Sequence, residues 1–291
     1  MKKLFLLALV ACFAFAAHAQ QWGPRSKVVT DTIYSEILKA DRAFSIYLPK
    51  SYEVDKDRKY PILYLLHGVM GTNVGWFRDQ RANEVADQLM ASGEACEMII
   101  VSPNAGGNPY EGDWNGYFNM PGWPYEDFFY QEFVPYIEKT YRVMADKEHR
   151  AIAGLSMGGG GTTSYAQRHA DMYCAAYAMS ALMDIPEVGA MPSQNPDDKM
   201  AILNTSVKEH SCIKYVTNAD EATKAQLRTV QWYVDCGDDD FLLERNMEFV
   251  TAMRKAGIPH QFRVRDGGHT NEYWHTALFT CLPFVSRCFG K

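Results

Sequence analysis

Arg150-Ala151-Ile152-Ala153-Gly154-Leu155-Ser156-Met157-Gly158-Gly159-Gly160-Gly161 sets a serine between two glycines at the end of a short apolar run. The run reads as a buried strand and the glycines as the start of a helix. Gly154-x-Ser156-x-Gly158 is then the strand-to-helix turn known as a nucleophile elbow. In that turn the serine backbone is strained, and side chains two positions before and after it would collide. Gly154 and Gly158 carry none. The turn lifts the Ser156 hydroxyl above the sheet and leaves the N–H of Met157, at the first turn of the helix, to hold an oxyanion. A glycine-rich turn with an incidental serine has the same local pattern, so the reading needs an acid and a histidine downstream.

His269 meets that need. Gln261-Phe262-Arg263-Val264-Arg265 alternates like a strand, and Asp266-Gly267-Gly268-His269 follows as a glycine-rich loop before a helical pattern that begins near Asn271. Such a loop presents an imidazole at a strand's C-terminal edge. His275 is the rival, but it falls inside the helical pattern, where a packed or solvated histidine is the simpler reading. The acid belongs between serine and histidine in chain order. Gln231-Trp232-Tyr233-Val234-Asp235-Cys236 favours a strand and runs into Gly237-Asp238-Asp239-Asp240-Phe241-Leu242. Asp235 can end the strand, and Asp238 and Asp239 can be solvated turn or capping residues. Chemistry alone does not choose the acid among these carboxylates.

Four stretches together resemble the esterase D-like family, which includes feruloyl and acetyl xylan esterases, S-formylglutathione hydrolases and mycolyltransferases. They are Tyr64-Leu65-Leu66-His67-Gly68, the segment from Glu148 to Gly159, Cys236-Gly237-Asp238-Asp239-Asp240, and Gly267-Gly268-His269 with Trp274 after it. They occur in the family's order between about residue 30 and residue 287. The resemblance implies an α/β-hydrolase fold. It maps the triad acid, last in Cys-Gly-x-x-Asp, onto Asp240, and the oxyanion-hole N–H groups onto Val69 and Met157. It further implies that Ser156 attacks an ester carbonyl, that His269 relays its proton to the leaving alcohol, and that Asp240 fixes the imidazole tautomer. His67 reads as a hydrogen-bonded structural histidine that shapes its loop.

Composition fits a globular enzyme, with 47% hydrophobic and 22% charged residues. A net charge of −6 without long acidic or basic runs offers no platform for nucleic acid or an anionic membrane. Lys2-Lys3, the apolar run Leu4 to Ala17 and Ala17-His18-Ala19 form a leader, so residues 1–19 are expected to be a signal peptide and 20–291 one exported domain. Lipidation at Cys12 is the alternative, and it would make the apolar stretch very short. No other segment is long enough to span a membrane. The remaining cysteines, Cys96, Cys174, Cys212, Cys236, Cys281 and Cys288, lack close zinc-ligand pairs, so no metal or cofactor is expected. Cys281 and Cys288 on one continuous helix would be roughly 10 Å apart, too far for a disulfide.

Hydrophobic patterning predicts a mostly parallel sheet flanked by helices. Strands are expected near 28–36, 42–48, 60–66, 97–102, 149–153, 174–179, 230–236 and 261–265, the first two as a hairpin. Helices are expected near 82–91, 127–139, 157–168, 242–256 and 271–286. Residues 184–229 read as a helical excursion near the active-site edge, either a lid or a passive insertion. The stretch from Tyr110 to Tyr125 is crowded with aromatics. Trp114, Tyr117, Trp123 and Tyr125 are expected either to stack a phenolic acyl group or sugar ring, or to pack on one another. Export and the resemblance together imply a small-molecule or polysaccharide ester substrate, with feruloyl-xylan ahead of acetyl-xylan. The leader argues against a cytosolic S-formylglutathione hydrolase. An acyltransferase of mycolyltransferase type shares the acyl-enzyme, and a noncatalytic carbohydrate-binding protein would bind sugar without ester turnover.

Overall fold

The computed structural model describes residues 25–185, 195 and 197–290. The leader expected over residues 1–19, its cleavage site and Cys12 lie outside these. Ten strands and ten α-helices follow one another along the described chain. The strands are β1 (Lys27–Ser35), β2 (Ala40–Leu48), β3 (Ile62–Leu66), β4 (Ile99–Pro103), β5 (Asn119–Met120), β6 (Trp123–Pro124), β7 (Arg150–Leu155), β8 (Ala175–Met179), β9 (Gln231–Gly237) and β10 (Gln261–Arg265). The helices are α1 (Gly75–Arg78), α2 (Ala82–Ser92), α3 (Tyr125–Phe128), α4 (Val134–Thr140), α5 (Met157–Arg168), α6 (Lys199–Glu209), α7 (Cys212–Thr217), α8 (Glu221–Leu227), α9 (Leu243–Lys255) and α10 (Asn271–Cys288). Each expected strand and helix has a counterpart within a few residues. The expected helix at 127–139 is α3 and α4 joined by a π-helical turn, Phe129–Phe133.

Eight strands form one sheet in the order β1-β2-β4-β3-β7-β8-β9-β10, with β5 and β6 as a separate small ribbon. β1, β2 and β4 pair antiparallel, and from β4 to β10 every pair is parallel. The first pair is the expected hairpin. Parallel central strands carry helices on both faces, so they are apolar on both. β3 shows this: Ile62, Tyr64 and Leu66 enter one core, Leu63 and Leu65 the other, and all five are fully buried. Val85 and Leu89 of α2 and Leu278 and Cys281 of α10 fill the second core. Tyr165 of α5, Phe249 of α9 and Ile137 of α4 fill the first.

The described part of 184–229 is helical, as expected. Asp198, Ser211 and Asp220 each accept a backbone N–H at the start of α6, α7 and α8, which satisfies donors that a helix leaves open at its N-terminus. Cys281 and Cys288 lie on the unbroken α10, and all six cysteines among the described residues are free thiols.

Candidate active site

Ser156 sits between β7 and α5 with φ 54° and ψ −121°, a strained conformation for a residue with a side chain. Its backbone is held on both sides: its N–H donates to Met179 O at 2.9 Å, and its carbonyl accepts from Leu182 N at 2.9 Å and Gly160 N at 3.1 Å. The flanking glycines are sterically required. A Cβ at Gly154 would lie 2.3 Å from Gly158 O, and one at Gly158 would lie 2.4 Å from Leu66 O. The turn that strains the serine also presses the start of α5 against the end of β3.

His269 leaves the loop between β10 and α10. That loop is pinned to the one after β9: Gly267 N donates to Asp238 Oδ1 at 3.0 Å, and Asp239 N donates to Gly267 O at 3.1 Å. Two chain segments far apart in sequence are therefore fixed to each other. The result is an unbroken chain of contacts, with Ser156 Oγ 2.9 Å from His269 Nε2 and His269 Nδ1 2.9 and 3.1 Å from the two oxygens of Asp240. An ionised carboxylate only accepts, so Nδ1 carries the proton and Nε2 is free to accept from the serine hydroxyl. Burial works against ionisation of Asp240, but hydrogen bonds from His269 and from Leu242 N outweigh it and hold the carboxyl below its ordinary range.

The neighbouring carboxylates have other partners. Asp235 is fully buried on β9, where it accepts from Tyr177 Oη at 2.7 Å and Tyr273 Oη at 2.5 Å, with Arg263 and Arg265 at 3.3 and 3.5 Å. Asp238 and Asp239 are exposed beside Asp266. His275, the rival imidazole, is half-buried with its Nδ1 2.7 Å from Gln80 O, in the segment just before α2.

His67 and Gly68 follow β3, with Gly68 packed against Leu155 and Ser156. His67 Nε2 accepts from Ala105 N at 2.9 Å, so Nδ1 carries the proton and donates to Gly68 O at 2.8 Å. The histidine is 2% exposed, and burial pushes its pKa down to about 4. It is a neutral clamp on the loop that carries Val69. Among the described residues, no acceptor is bonded to the N–H of Val69 or of Met157. A cavity of about 240 Å³ opens here, lined by Val69, Met70, Ser156, His269, Asn271 and Trp274 among others. It is smaller than usual drug-sized sites and suits one compact group.

Trp114, Tyr117, Trp123 and Tyr125 are not among the residues lining that cavity, and they pack on one another, the second of the two expected arrangements. Tyr117, Trp123 and Tyr125 are at most 6% exposed. Trp123 stacks between Trp114 and Tyr125 at 6.3 and 5.6 Å, and its Nε1 donates to Gly116 O. Lys199 covers Trp114 at 3.6 Å. The faces are spent on packing, and Tyr117 serves the site only from behind, donating from Oη to His67 O at 2.9 Å. The exposed aromatic beside the site is instead Phe241, which is 70% exposed with its ring 4.7 Å from the His269 ring. Its signal was an aromatic directly after Asp240 in an otherwise acidic loop. Met70, 52% exposed with φ 61°, is the second side chain that residue type alone did not single out.

The sequence matches the family model described as "Putative esterase" over residues 35–285. A solved structure titled "ferulic acid esterase" is 64% identical with a TM-score of 0.90, covering 92% of this chain and all of that one. The "Endo-1,4-beta-xylanase/feruloyl esterase" of Xylanibacter ruminicola is 26% identical across 85% of this chain, which spans only 30% of that protein's length. The "Acetyl esterase" of Caldicellulosiruptor saccharolyticus is 21% identical across 87% of this chain and 96% of its own.

Proposed function

Because this chain belongs to the "Putative esterase" family and has its α/β-hydrolase fold, we propose that it is an exported serine esterase acting on feruloyl or acetyl esters of plant cell-wall xylan. The observation that carries the catalytic part is the continuous contact from Ser156 Oγ through His269 to Asp240, at 2.9 Å on either side of the imidazole. Ser156 attacks the ester carbonyl as His269 Nε2 takes its proton, and the same imidazolium then protonates the departing alcohol. Asp240 holds the tautomer and stabilises the charged ring. Val69 N–H and Met157 N–H receive the oxyanion, and such preset donors need no reorganisation as charge develops. Water then frees the acid from the acyl-enzyme.

The feruloyl preference over acetyl rests on the names of the relatives and on a cavity roomier than a two-carbon acyl group needs. The purified protein tested on methyl ferulate, acetylated xylan and a short-chain aryl ester checks both parts. Release of ferulate and its loss in Ser156→Ala are expected. No turnover of any ester refutes the catalytic reading, and turnover of acetyl but not feruloyl esters refutes the substrate. Among the described residues no helix is long and apolar enough to cross a membrane. Export itself is tested by sequencing the N-terminus of the protein recovered outside the cytoplasm, which is expected to read Gln20.

A further inference from the structure

We propose that Phe241 is the platform on which the alcohol portion of the ester, a sugar ring, stacks, while the acyl group occupies the cavity lined by Met70, Asn271 and Trp274. The inference rests on the serine-esterase reading. His269 must protonate the leaving oxygen from Nε2, so the alcohol departs from a point within hydrogen-bond reach of that imidazole. Two rings flank His269. Trp274, at 4.8 Å and edge-on, belongs to the cavity wall and is 8% exposed. Phe241, at 4.7 Å, is not part of that wall and gives most of its surface to solvent.

What sets Phe241 apart from other exposed apolar side chains is its place: a flat ring, 70% exposed, against the imidazole of the site. Phe241 lies against the imidazole that protonates the leaving oxygen and outside the acyl cavity, and a flat aromatic face suits the C–H face of a pyranose or furanose. The backbone gives it no alternative. Asp240, immediately before it, is buried and turned to His269, and Leu242, immediately after it, is 1% exposed, so the loop directs the intervening side chain outward.

The test compares two substrates that share an acyl group and differ in alcohol, methyl ferulate and a feruloylated oligosaccharide. In Phe241→Ala the KM for the oligosaccharide ester is expected to rise roughly three- to tenfold more than that for the methyl ester. Phe241→Trp, which keeps a flat face, is expected to restore the wild-type ratio. If wild type turns over both substrates and Phe241→Ala changes them equally or not at all, the platform is refuted and the esterase reading stands. If wild type turns over neither, the esterase reading falls, and the platform with it.

Discussion

His67→Gln combined with acid titration measures how much the clamp on the Val69 loop depends on a neutral imidazole. In the fold the ring's Nε2 accepts from Ala105 N, and burial holds its pKa at about 4 against an ordinary 6.5. Between those values the unfolded chain binds a proton that the folded chain refuses, so stability rises with pH across that interval. The contribution is whole above about pH 6.5 and is lost as pH falls toward about 4. A gap of about 2.5 at ~1.4 kcal/mol for each pH unit comes to about 3 kcal/mol. That is a large share of the 5–15 kcal/mol typical of a folded domain. Urea unfolding at several pH values across this window is the assay. His67→Gln is expected to be less stable near neutrality, because glutamine cannot reproduce both hydrogen bonds in the same space. Its stability is also expected to fall less steeply on acidification than that of wild type. Taking the difference between the two proteins removes the contributions of the other histidines and carboxylates. Parallel curves for the two proteins would show that His67 does not titrate as a buried neutral group, and the argument for the clamp would fail.

Other perturbations separate chemistry from packing. Ser156→Ala, His269→Ala and the double variant are each expected to lose a similar factor, of order 10⁴ to 10⁶ in kcat, since the two groups act as a unit; losses that multiply in the double variant contradict this. Asp240→Asn is expected to cost roughly 10⁴ in kcat with the fold kept, by favouring the wrong tautomer. Asp238→Asn and Asp239→Asn are expected to be mild, and steady-state kinetics on the three variants decides between these carboxylates. Trp123→Ala is expected to lower stability by about 3–5 kcal/mol, as large-to-small core changes do, and to lower activity equally on feruloylated oligosaccharide and aryl ester. A selective loss on the oligosaccharide, with Tm unchanged, would return Trp123 to the substrate.

Local pattern was enough for the sheet, its first hairpin and the elbow. Alternation, apolar runs and turn residues act over a few neighbours, and the glycines at 154 and 158 answer a clash that the turn itself creates. The helical character of the segment after residue 197 was likewise legible, in a sequence that places Asp198, Ser211 and Asp220 where helices begin. The choice of carboxylate was not legible in local pattern, and Asp240 was assigned only through the family resemblance. Asp235, Asp238, Asp239 and Asp240 are nearly equivalent as sequence, and only the pairing of the β9 and β10 loops buries one against Tyr177 and Tyr273, leaves two in solvent and turns one to His269. The aromatics had the same ambiguity. A tryptophan on a loop can face water or protein, and which it does depends on what other segments bring to it. Here Lys199 covers Trp114 and Tyr125 stacks on Trp123, while Phe241 is left 70% exposed. The residue types were written in the chain, but their exposure was decided largely by packing between segments distant in sequence, which no local pattern encodes.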